Sequence, residues 1–285
     1  MAKLLEGKIL ASKIKKELIE EISDLRSKTH NIPVLASILI GENEGAKIYT
    51  ACQKKAAEEL GIEYRLKKLQ DSISEKELID FIERLNRDSS VTGIIIQMPL
   101  PQQIDQKTIT SFISANKDVE GMHPENLGKI LLGKSKIVPC TAKAAFELVK
   151  STEINLYGKE VVVVGHSEIV GKPLSLLFLG EFATTTVCHI GTSEAARLIE
   201  HVNRAEILCV AVGKAGLIKG QWIKEGAIVV DIGINRLDGR LIGDVEFAEA
   251  SKRASYITPV PGGVGPLTTT MLMKNTVEAY KLQKL

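Results

Sequence analysis

The stretch VVVVGHSEIVGKP, residues 161–173, decides the fold class of this chain. Its valines predict a strand that is buried on both faces, and its glycines allow a turn straight into a helix. Strand signals and helical patterns then alternate strictly, and the further strand signals are TTTVCHI (184–190), EILCVAVG (206–213) and AIVVDIGI (227–234). This alternation predicts an α/β fold in which a parallel sheet is covered by helices on both faces.

The turn after the first of these strands is a candidate anion site. Gly165 and Gly171 open the following helix, but their spacing does not match the GxGxxG fingerprint, so the match to a dinucleotide motif is poor. A helix N-terminus that follows a buried strand still favours a phosphate, because free backbone N–H groups and the helix dipole meet there.

The first half of the chain also predicts alternating helices and strands. Apolar residues three or four apart predict a helix over 9–25, and a second helix over about 45–60 is closed by Gly61 in the usual C-terminal position. Ser74 and Glu77 have the spacing of a capping box at the start of a third helix. The predicted strands are PVLASILIG (33–41), IEYRLKKL (62–69) and the beginning of TGIIIQMPLPQQID (92–105).

Several polar side chains of this half stand at positions where ligands bind. Tyr49 and Gln53 are four apart on the second predicted helix and therefore share a face, whereas Lys54 is turned away from Gln53 by roughly 100°. Gln97 stands at the carboxyl end of a predicted strand, where open α/β sheets bind ligands, although an amide there can equally satisfy loop backbone.

The polar segment NKDVEGMHPENLG, residues 116–128, predicts a loop that is too acidic and too short to be core. It contains Asp118, Glu120 and His123. Carboxylates in a loop are more often solvated than functional, so solvation is the expectation from pattern alone.

The stretch PVPGGVGPLTTT, residues 259–270, predicts a rigid loop that approaches a flat ligand. Its prolines stiffen the backbone, and its glycines permit positive φ and close main-chain approach. The loop follows a strand signal at 254–258 and precedes a terminal helix, so it is expected to lie between two bodies, with a plain linker as the alternative.

Composition narrows the class of protein. The chain has 285 residues, a length that favours two domains, and its net charge of +2 without a basic tract gives no reason to expect nucleic acid as a partner. The four cysteines form no CxxC and the five histidines have no metal-ligand spacing, so no metal site is expected and a reducing compartment is favoured. No apolar run approaches the length of a membrane span, and we predict a cytoplasmic protein with no membrane partner.

A set of ordered motifs resembles those of the methylenetetrahydrofolate dehydrogenase/cyclohydrolase family. The motifs are GIIIQMPLPQQID (93–105), KDVEGMHPENLGK (117–129), PCT (139–141), VVVVGHSEIVGKP (161–173), GDV (243–245) and TPVPGGVGPLTTTML (258–272). The resemblance covers essentially the whole chain, and long motifs in the correct order are far more specific than any single glycine loop.

The resemblance implies two domains that face each other across a cleft. An N-terminal α/β catalytic domain that binds folate is expected over residues 1–140 plus 267–285. A Rossmann-type, parallel-sheet cofactor domain is expected over 141–266, with the C-terminal helix returning to the first domain. The family pattern further implies a homodimer formed through the cofactor domain.

The resemblance also implies an activity and a set of site residues. The expected reaction is oxidation of 5,10-methylenetetrahydrofolate to 5,10-methenyltetrahydrofolate with NAD or NADP, followed by hydrolysis to 10-formyltetrahydrofolate. The implied catalytic residues are Tyr49, Gln53, Gln97 and Glu120, with Tyr49 stacked on the folate and Gln97 beside the reacting centre. The residues expected to contact folate are Tyr49, Gln97, Glu120, Pro261, Gly262 and Gly263. The implied cofactor-binding residues are Gly165, His166, Ser167, Ile169, Val170, Gly171, Ile190 and Ile234.

Four positions depart from the family pattern. The family's catalytic lysine, four residues after the tyrosine, is Gln53 here, and the pterin-binding aspartate of KDVDG is Glu120. The arginine of the cofactor turn is His166, and the serine that follows CH in many members is Ile190.

These departures predict two functional consequences. Gln53 cannot titrate, so the cyclohydrolase activity is expected to be absent or impaired while the dehydrogenase activity survives. An arginine holds a 2′-phosphate at any pH, whereas an imidazole, with a reference pKa of about 6.5, is mostly neutral near pH 7, so weak discrimination in favour of NADP is expected. Two alternatives stay open: a fully bifunctional enzyme that uses another base, with Glu120 as the first candidate, and a non-catalytic binder of folate or dinucleotide.

Overall fold

The computed structural model describes all 285 residues, and they form two compact units. One unit consists of Met1–Ser12 and Thr141–Thr268 and contains a six-stranded sheet. The other consists of Lys13–Cys140 and Thr269–Leu285 and contains a three-stranded sheet. We call them the six-stranded unit and the three-stranded unit.

Helices and strands alternate along most of the chain. The strands are β1 (Lys3–Leu4), β2 (Val34–Ile40), β3 (Glu63–Leu69), β4 (Gly93–Ile96), β5 (Glu160–Val164), β6 (Thr184–Cys188), β7 (Ile207–Val210), β8 (Ile228–Asp231), β9 (Asn235–Leu237), β10 (Arg240–Ile242) and β11 (Tyr256–Ile257). The α-helices are α1 (Gly7–Thr29), α2 (Glu44–Leu60), α3 (Glu75–Arg87), α4 (Gln106–Phe112), α5 (Pro124–Leu131), α6 (Cys140–Lys150), α7 (Gly171–Gly180), α8 (Ile190–Glu194), α9 (Leu198–Arg204), α10 (Phe247–Arg253) and α11 (Val264–Lys284), with a 3₁₀ turn at Gly220–Trp222. No helix has both the length and the apolar character that crossing a membrane requires.

The three-stranded unit is built on a parallel sheet with the strand order β3-β2-β4. The central strand β2 is buried at every residue, whereas the edge strand β3 is exposed or half-buried along its length. Leu78 and Ile82 of α3 pack with Ile94 of β4 in one apolar cluster. Gln97 directly follows β4 and therefore starts from the carboxyl end of the sheet.

Two helix ends in this unit match the sequence prediction. Gly61 ends α2 in the left-handed conformation, with a φ of 76°, which a glycine adopts without a steric cost. Ser74 and Glu77 form the predicted capping box at the start of α3, each satisfying a backbone N–H that the helix leaves free.

The six-stranded unit has the strand order β1-β11-β8-β7-β5-β6, and every neighbouring pair is parallel. The inner strands β7 and β8 are buried throughout and β5 nearly so, as their β-branched runs predicted. The carboxyl ends of these strands lead into the 165–171 turn, the loop after Val210 and the β9–β10 hairpin. The predicted α/β fold with a parallel-sheet domain is therefore confirmed.

Two elements differ from the sequence prediction. Helix α11 begins at Val264, inside the PVPGGVGPLTTT stretch, so only the first part of that stretch is a loop. Pro266 fits the first helical turn because the N–H that a proline lacks has no partner there in any case. Strand β1 pairs with β11 and places Met1–Ser12 in the six-stranded unit, whereas the predicted boundary put them with the rest of residues 1–140. A two-residue strand has no alternation that a sequence pattern can reveal.

Candidate functional site

A buried pair of amides lies at the centre of the three-stranded unit. Gln53 is fully buried on α2, and its Oε1 accepts a hydrogen bond from Gln97 Nε2 at 2.9 Å. In return Gln53 Nε2 lies 3.4 Å from Gln97 Oε1. Tyr64 donates its hydroxyl to Gln53 Oε1 at 2.9 Å, and Gln97 donates to Ser37 Oγ at 2.9 Å. These contacts satisfy both side chains with neutral partners.

Tyr49 and Glu120 lie beside this amide pair. Both line a cavity of about 170 Å³ together with Gln97, so three of the predicted site residues share one cavity. Gln53 is hydrogen-bonded to Gln97, which forms part of the cavity wall. Tyr49 is 37% exposed, and its hydroxyl is hydrogen-bonded to the side chains of Thr269 and Gln53. Partial burial, followed by the charges of Cys140 and Glu120, raises the pKa of Tyr49 above its usual range. The structure thus brings the four predicted catalytic residues together.

Asp118 is buried, and the expectation that the 116–128 carboxylates are solvated is wrong for it. Its carboxylate accepts hydrogen bonds from Gly121 N–H at 3.0 Å, His123 N–H at 2.7 Å and Asn126 Nδ2 at 2.9 Å. These donors compensate the burial of the carboxylate and organise the backbone on either side of Glu120. Sequence pattern missed this role because the donors become available only when the loop closes on itself.

Glu120 lines the cavity, and no backbone N–H or side-chain amide donates to its carboxyl as they do to Asp118. Burial, and secondly the negative charge of Asp118, raises the pKa of the Glu120 carboxyl to about 8. A carboxyl with such a pKa is mostly protonated near neutral pH, and it then offers an O–H donor to the cavity.

Asn275 of α11 is a further residue of this region that sequence pattern did not reveal. Its Nδ2 donates to the Val119 carbonyl at 2.8 Å and to the Val138 carbonyl at 2.9 Å, and it lies 3.4 Å from Cys140 Sγ. Cys140 is buried, and its burial raises the pKa of the thiol well above the ordinary value, with Glu120 and Asp118 adding to the shift. Asn275 therefore ties the terminal helix to the backbone that precedes Glu120.

The 165–171 turn of the six-stranded unit can hold only glycine at its two ends. Gly165 has a φ of 120°, and a Cβ there would lie 2.3 Å from the Ala211 carbonyl oxygen. A Cβ on Gly171 would lie 2.0 Å from the Gly165 carbonyl oxygen. The turn is consequently tight, and α7 begins at Val170–Gly171 with no side chain capping its first N–H groups. Ser167 Oγ accepts from Val170 N–H at 3.1 Å.

Exposed side chains surround this turn. His166 and Ser167 are exposed, and Ile169 is 46% exposed although it is apolar. The ring centroids of His166 and His189 are 5.2 Å apart, and Ile190 begins α8 with 69% of its surface exposed. The residues predicted to bind the cofactor therefore gather at the carboxyl ends of β5 and β6, with the exception of Ile234.

Ile234 lines a second cavity, of about 290 Å³, at the end of β8. Pro261, Gly262 and Gly263 form another wall of this cavity, and Asp231 and Lys8 also line it. Gly263 admits no side chain, because a Cβ would lie 2.7 Å from Thr258 Cβ. The residues predicted to contact folate thus fall into two sets, with Tyr49, Gln97 and Glu120 in one unit and Pro261–Gly263 in the other.

These features fit a dinucleotide. The glycine-lined turn allows close main-chain approach, and it leads directly into the N-terminus of α7, where the helix dipole favours a phosphate. The cavity beyond β8 lies at the carboxyl edge of the same parallel sheet, where such folds bind ligands. Fold and site together define a Rossmann-type nucleotide-binding unit joined in one chain to a second α/β unit, which contains the cavity lined by Tyr49, Gln97 and Glu120.

Comparison with known proteins gives the particular family. Residues 5–120 match the sequence profile of the tetrahydrofolate dehydrogenase/cyclohydrolase catalytic domain, and residues 139–284 match that of the NAD(P)-binding domain of the same family. The bifunctional protein FolD of Acetivibrio thermocellus is 49% identical over 283 residues, which are 99% of this chain and 98% of that protein. The chain belongs to the tetrahydrofolate dehydrogenase/cyclohydrolase family.

Solved structures agree with this assignment. The bifunctional FolD methylenetetrahydrofolate dehydrogenase/cyclohydrolase of Campylobacter jejuni superposes with a TM-score of 0.95 at 44% identity, covering 99% of each chain. The Trypanosoma brucei enzyme, solved with NADP cofactor and inhibitor, superposes with a TM-score of 0.92 at 37% identity, covering 99% of this chain and 98% of that one.

Proposed function

We propose that this protein oxidises 5,10-methylenetetrahydrofolate to 5,10-methenyltetrahydrofolate with NAD or NADP, and that its cyclohydrolase activity is impaired or absent. Family membership supports the dehydrogenase activity. The observation that carries the second part is the buried pair of Gln53 and Gln97, in which a neutral amide stands where the resemblance implies a catalytic lysine.

We assign the folate to the three-stranded unit and the dinucleotide to the six-stranded unit. When bound, a nicotinamide dinucleotide supplies the hydride acceptor. The chain's own residues then have to hold the reactants in place, because the nitrogen lone pair of the substrate stabilises the developing cation. Tyr49 offers an exposed ring on which the aromatic part of a folate can stack, and Gln97 is held rigidly by Gln53 and Ser37.

Hydrolysis of the methenyl cation needs a group that takes a proton from the attacking water. Gln53 cannot do so, and no neighbouring group replaces it near neutral pH. Burial raises the pKa of Glu120 to about 8 and that of Tyr64 to about 12, and it also raises the pKa values of Tyr49 and Cys140 above their usual ranges. Each of these groups is therefore mostly protonated and offers a donor where the reaction requires an acceptor.

The test follows both products during turnover. With methylenetetrahydrofolate and NAD or NADP, we expect reduction of the dinucleotide together with accumulation of methenyltetrahydrofolate. Hydrolysis of added methenyltetrahydrofolate is expected to remain close to the spontaneous rate. Hydrolysis far above that rate would favour a fully bifunctional enzyme with Glu120 as base, and Glu120→Gln would then abolish it. Failure to reduce either dinucleotide while folate still binds would favour a non-catalytic binder.

The choice between NAD and NADP depends on the side chains at the 165–171 turn and at the start of α8. The exposed residues nearest the ends of β5 and β6 are His166, His189 and Ile190, and none of them carries the permanent charge of an arginine. We propose that NAD is used at least as well as NADP near neutral pH. Steady-state kinetics with both dinucleotides, repeated at a lower pH, test this; a strong preference for NADP at every pH would contradict it.

We further propose that a second copy of the chain binds along β6. This strand is an edge of the six-stranded sheet, so one side of its backbone is unpaired. Tyr157 and Phe182 lie next to it with ring centroids 5.8 Å apart, and they are 72% and 73% exposed. A symmetric dimer would bury these rings and Leu179 against their counterparts.

The substitution Phe182→Asp tests this dimer. Phe182 has a φ of 62°, a conformation that aspartate tolerates better than phenylalanine, so the change is expected to leave the fold intact. We expect wild type to sediment as a dimer and the variant to shift toward monomer. Leu131→Asp, at a residue of the other unit that is 69% exposed, is the matched control and should remain dimeric. A monomeric wild type would contradict the proposal.

A further inference from the structure

Two buried carboxylates stand at the base of the β9–β10 hairpin. Asp231 ends β8, and its carboxylate accepts hydrogen bonds from Gly233 N–H and Asp244 N–H, each at 3.0 Å, and from Val245 N–H at 2.9 Å. Asp244 is fully buried, and its Oδ2 accepts from Val212 N–H at 2.7 Å and from Gly213 N–H at 2.9 Å. Its Oδ1 accepts from Asn235 Nδ2 at 2.8 Å.

The surrounding backbone is shaped to these two side chains. A Cβ on Gly233 would lie 2.1 Å from Asp244 Cγ, and a Cβ on Gly243 would lie 1.9 Å from Asp231 Oδ2. Both positions therefore require glycine. The two carboxylates hold together the loop after β7, the segment after β8 and the end of the hairpin.

No cation neutralises this pair. All six donors are backbone N–H groups or the Asn235 amide, and neither carboxylate forms an ion pair. Such donors keep a buried carboxylate ionised, but they leave its net negative charge in place. Charge without a counter-ion inside a protein acts over several ångströms, because the medium screens it less than water does.

The charge lies at a cavity wall. Asp231 and Ile234 both line the 290 Å³ cavity. The two neighbours of Ile234 in the chain fix its position, because Gly233 donates to Asp231 and Asn235 donates to Asp244. Lys8 is the cationic side chain at this cavity, and it is exposed, so water screens its charge more strongly. The nearest buried charge for a ligand in the cavity is therefore negative.

We propose that the Asp231–Asp244 pair makes this cavity selective for a cationic ring, so that it favours the oxidised nicotinamide over the neutral reduced form. The inference rests on the proposed use of NAD or NADP. Asp231 and Asp244 act as positioning residues for the nicotinamide half, whereas the adenosine half is held separately at the Gly165–Gly171 turn. Oxidised and reduced dinucleotides differ by one unit of charge on that ring, and the buried pair discriminates between them through this difference.

The test measures dissociation constants of NAD, NADH, NADP, NADPH and ADP-ribose by calorimetry, with no folate present. In Asp244→Asn the amide oxygen keeps the bonds from Val212 and Gly213, and a flipped Asn235 amide accepts from the new amide nitrogen. The variant thus loses charge with little change of shape. We expect the affinity for the oxidised form, relative to the reduced form, to fall about tenfold, and that for ADP-ribose to stay unchanged.

Two further variants separate charge from structure. The double change Asp244→Asn with Asn235→Asp exchanges the two partners of the hydrogen bond between these positions, so that the side chain at 244 becomes the donor and the side chain at 235 becomes the carboxylate acceptor. Because the buried negative charge returns, the preference for the oxidised form should be restored. Asp238→Asn removes an exposed charge from the tip of the same hairpin, and it should change nothing.

The outcomes distinguish this inference from the proposed function. Equal weakening of the oxidised form, the reduced form and ADP-ribose in Asp244→Asn, or no change in any of them, overturns the charge selection. If wild type binds no dinucleotide at all, the proposed function itself fails. Thermal melting of each variant verifies that the fold is intact.

Discussion

The two cavities of this protein differ in how far they raise the pKa of a carboxyl group at their walls. Glu120, in the three-stranded unit, lacks backbone donors, and burial raises the pKa of its carboxyl to about 8. Asp231, in the six-stranded unit, accepts three backbone N–H groups that oppose the same effect of burial, and its pKa is raised only to about 6. Burial is the largest cause of the raised pKa in both carboxyls, and the backbone donors of Asp231 partly offset it, so the supply of donors separates the two groups near neutral pH.

This difference suits the two kinds of chemistry that we propose. The polar groups around the cavity of Glu120 and the Gln53–Gln97 pair are neutral amides and groups that are mostly protonated near neutral pH, so this cavity can position a folate but cannot accept a proton readily. The cavity beside Asp231 and Asp244 keeps buried negative charge next to the place of a ring that is cationic when oxidised.

The largest effect is expected from Gln53→Lys, which would give the neutral cavity a base. A buried lysine has a lowered pKa, and the acceptors Gln97 Oε1 and Tyr64 Oη are within reach of the Gln53 position. We expect hydrolysis of methenyltetrahydrofolate to rise by about 10²- to 10⁴-fold, with little change in hydride transfer. Rates are measured separately with methenyltetrahydrofolate and with methylenetetrahydrofolate plus dinucleotide.

The matched control is Lys54→Gln, the next residue on the same helix. Lys54 is exposed and lies 3.8 Å from Glu58, so its loss should change neither activity. If Gln53→Lys folds and binds folate but hydrolyses no faster than wild type, the missing proton acceptor does not explain the impairment.

The next effect concerns stability and pH. Because the pKa of Glu120 is about 8 in the folded protein and 4.5 as a reference, the folded state binds more protons than the unfolded state between these values. Stability from this group is therefore present at low pH and is lost as pH rises from about 4.5 to about 8. Glu120→Gln removes this dependence.

We expect Glu120→Gln to gain stability relative to wild type by a few kcal/mol, in order of magnitude, on going from acidic pH to above pH 8. Urea unfolding of both proteins at several pH values measures the gap. Glu125→Gln, at an exposed residue of the same segment that pairs with Lys129, is the control. A gap that does not widen with pH would place Glu120 among the ionised carboxylates and remove the contrast with Asp231.

A smaller effect is expected from Tyr64→Phe. This change removes one of the donors to Gln53 Oε1, while Gln97 still donates to the same oxygen, so the amide pair persists. The expected loss of stability is about 0.5–1.5 kcal/mol, the range for one neutral hydrogen bond, without a change in cofactor reduction. A much larger loss would mean that the pair depends on Tyr64 for its geometry.

Much of this protein is determined by its sequence alone, because the signals are local and periodic. Runs of β-branched residues predicted β5, β7 and β8, and short-range capping chemistry predicted the ends of α2 and α3. Helical spacing predicted that Tyr49 and Gln53 share a face, and motif order predicted the family.

Tertiary structure alone decided the rest. Strand β1 is too short to show a period and exists only because β11 pairs with it. Asp118 resembles a solvated loop acid in sequence, yet it is buried because Gly121, His123 and Asn126 supply donors when the loop closes. The pKa of a buried carboxyl depends on donors outside its own strand, as that of Asp231 depends on the N–H groups of Asp244 and Val245. Residue type and spacing do not contain that information, since protonation is a property of the folded environment.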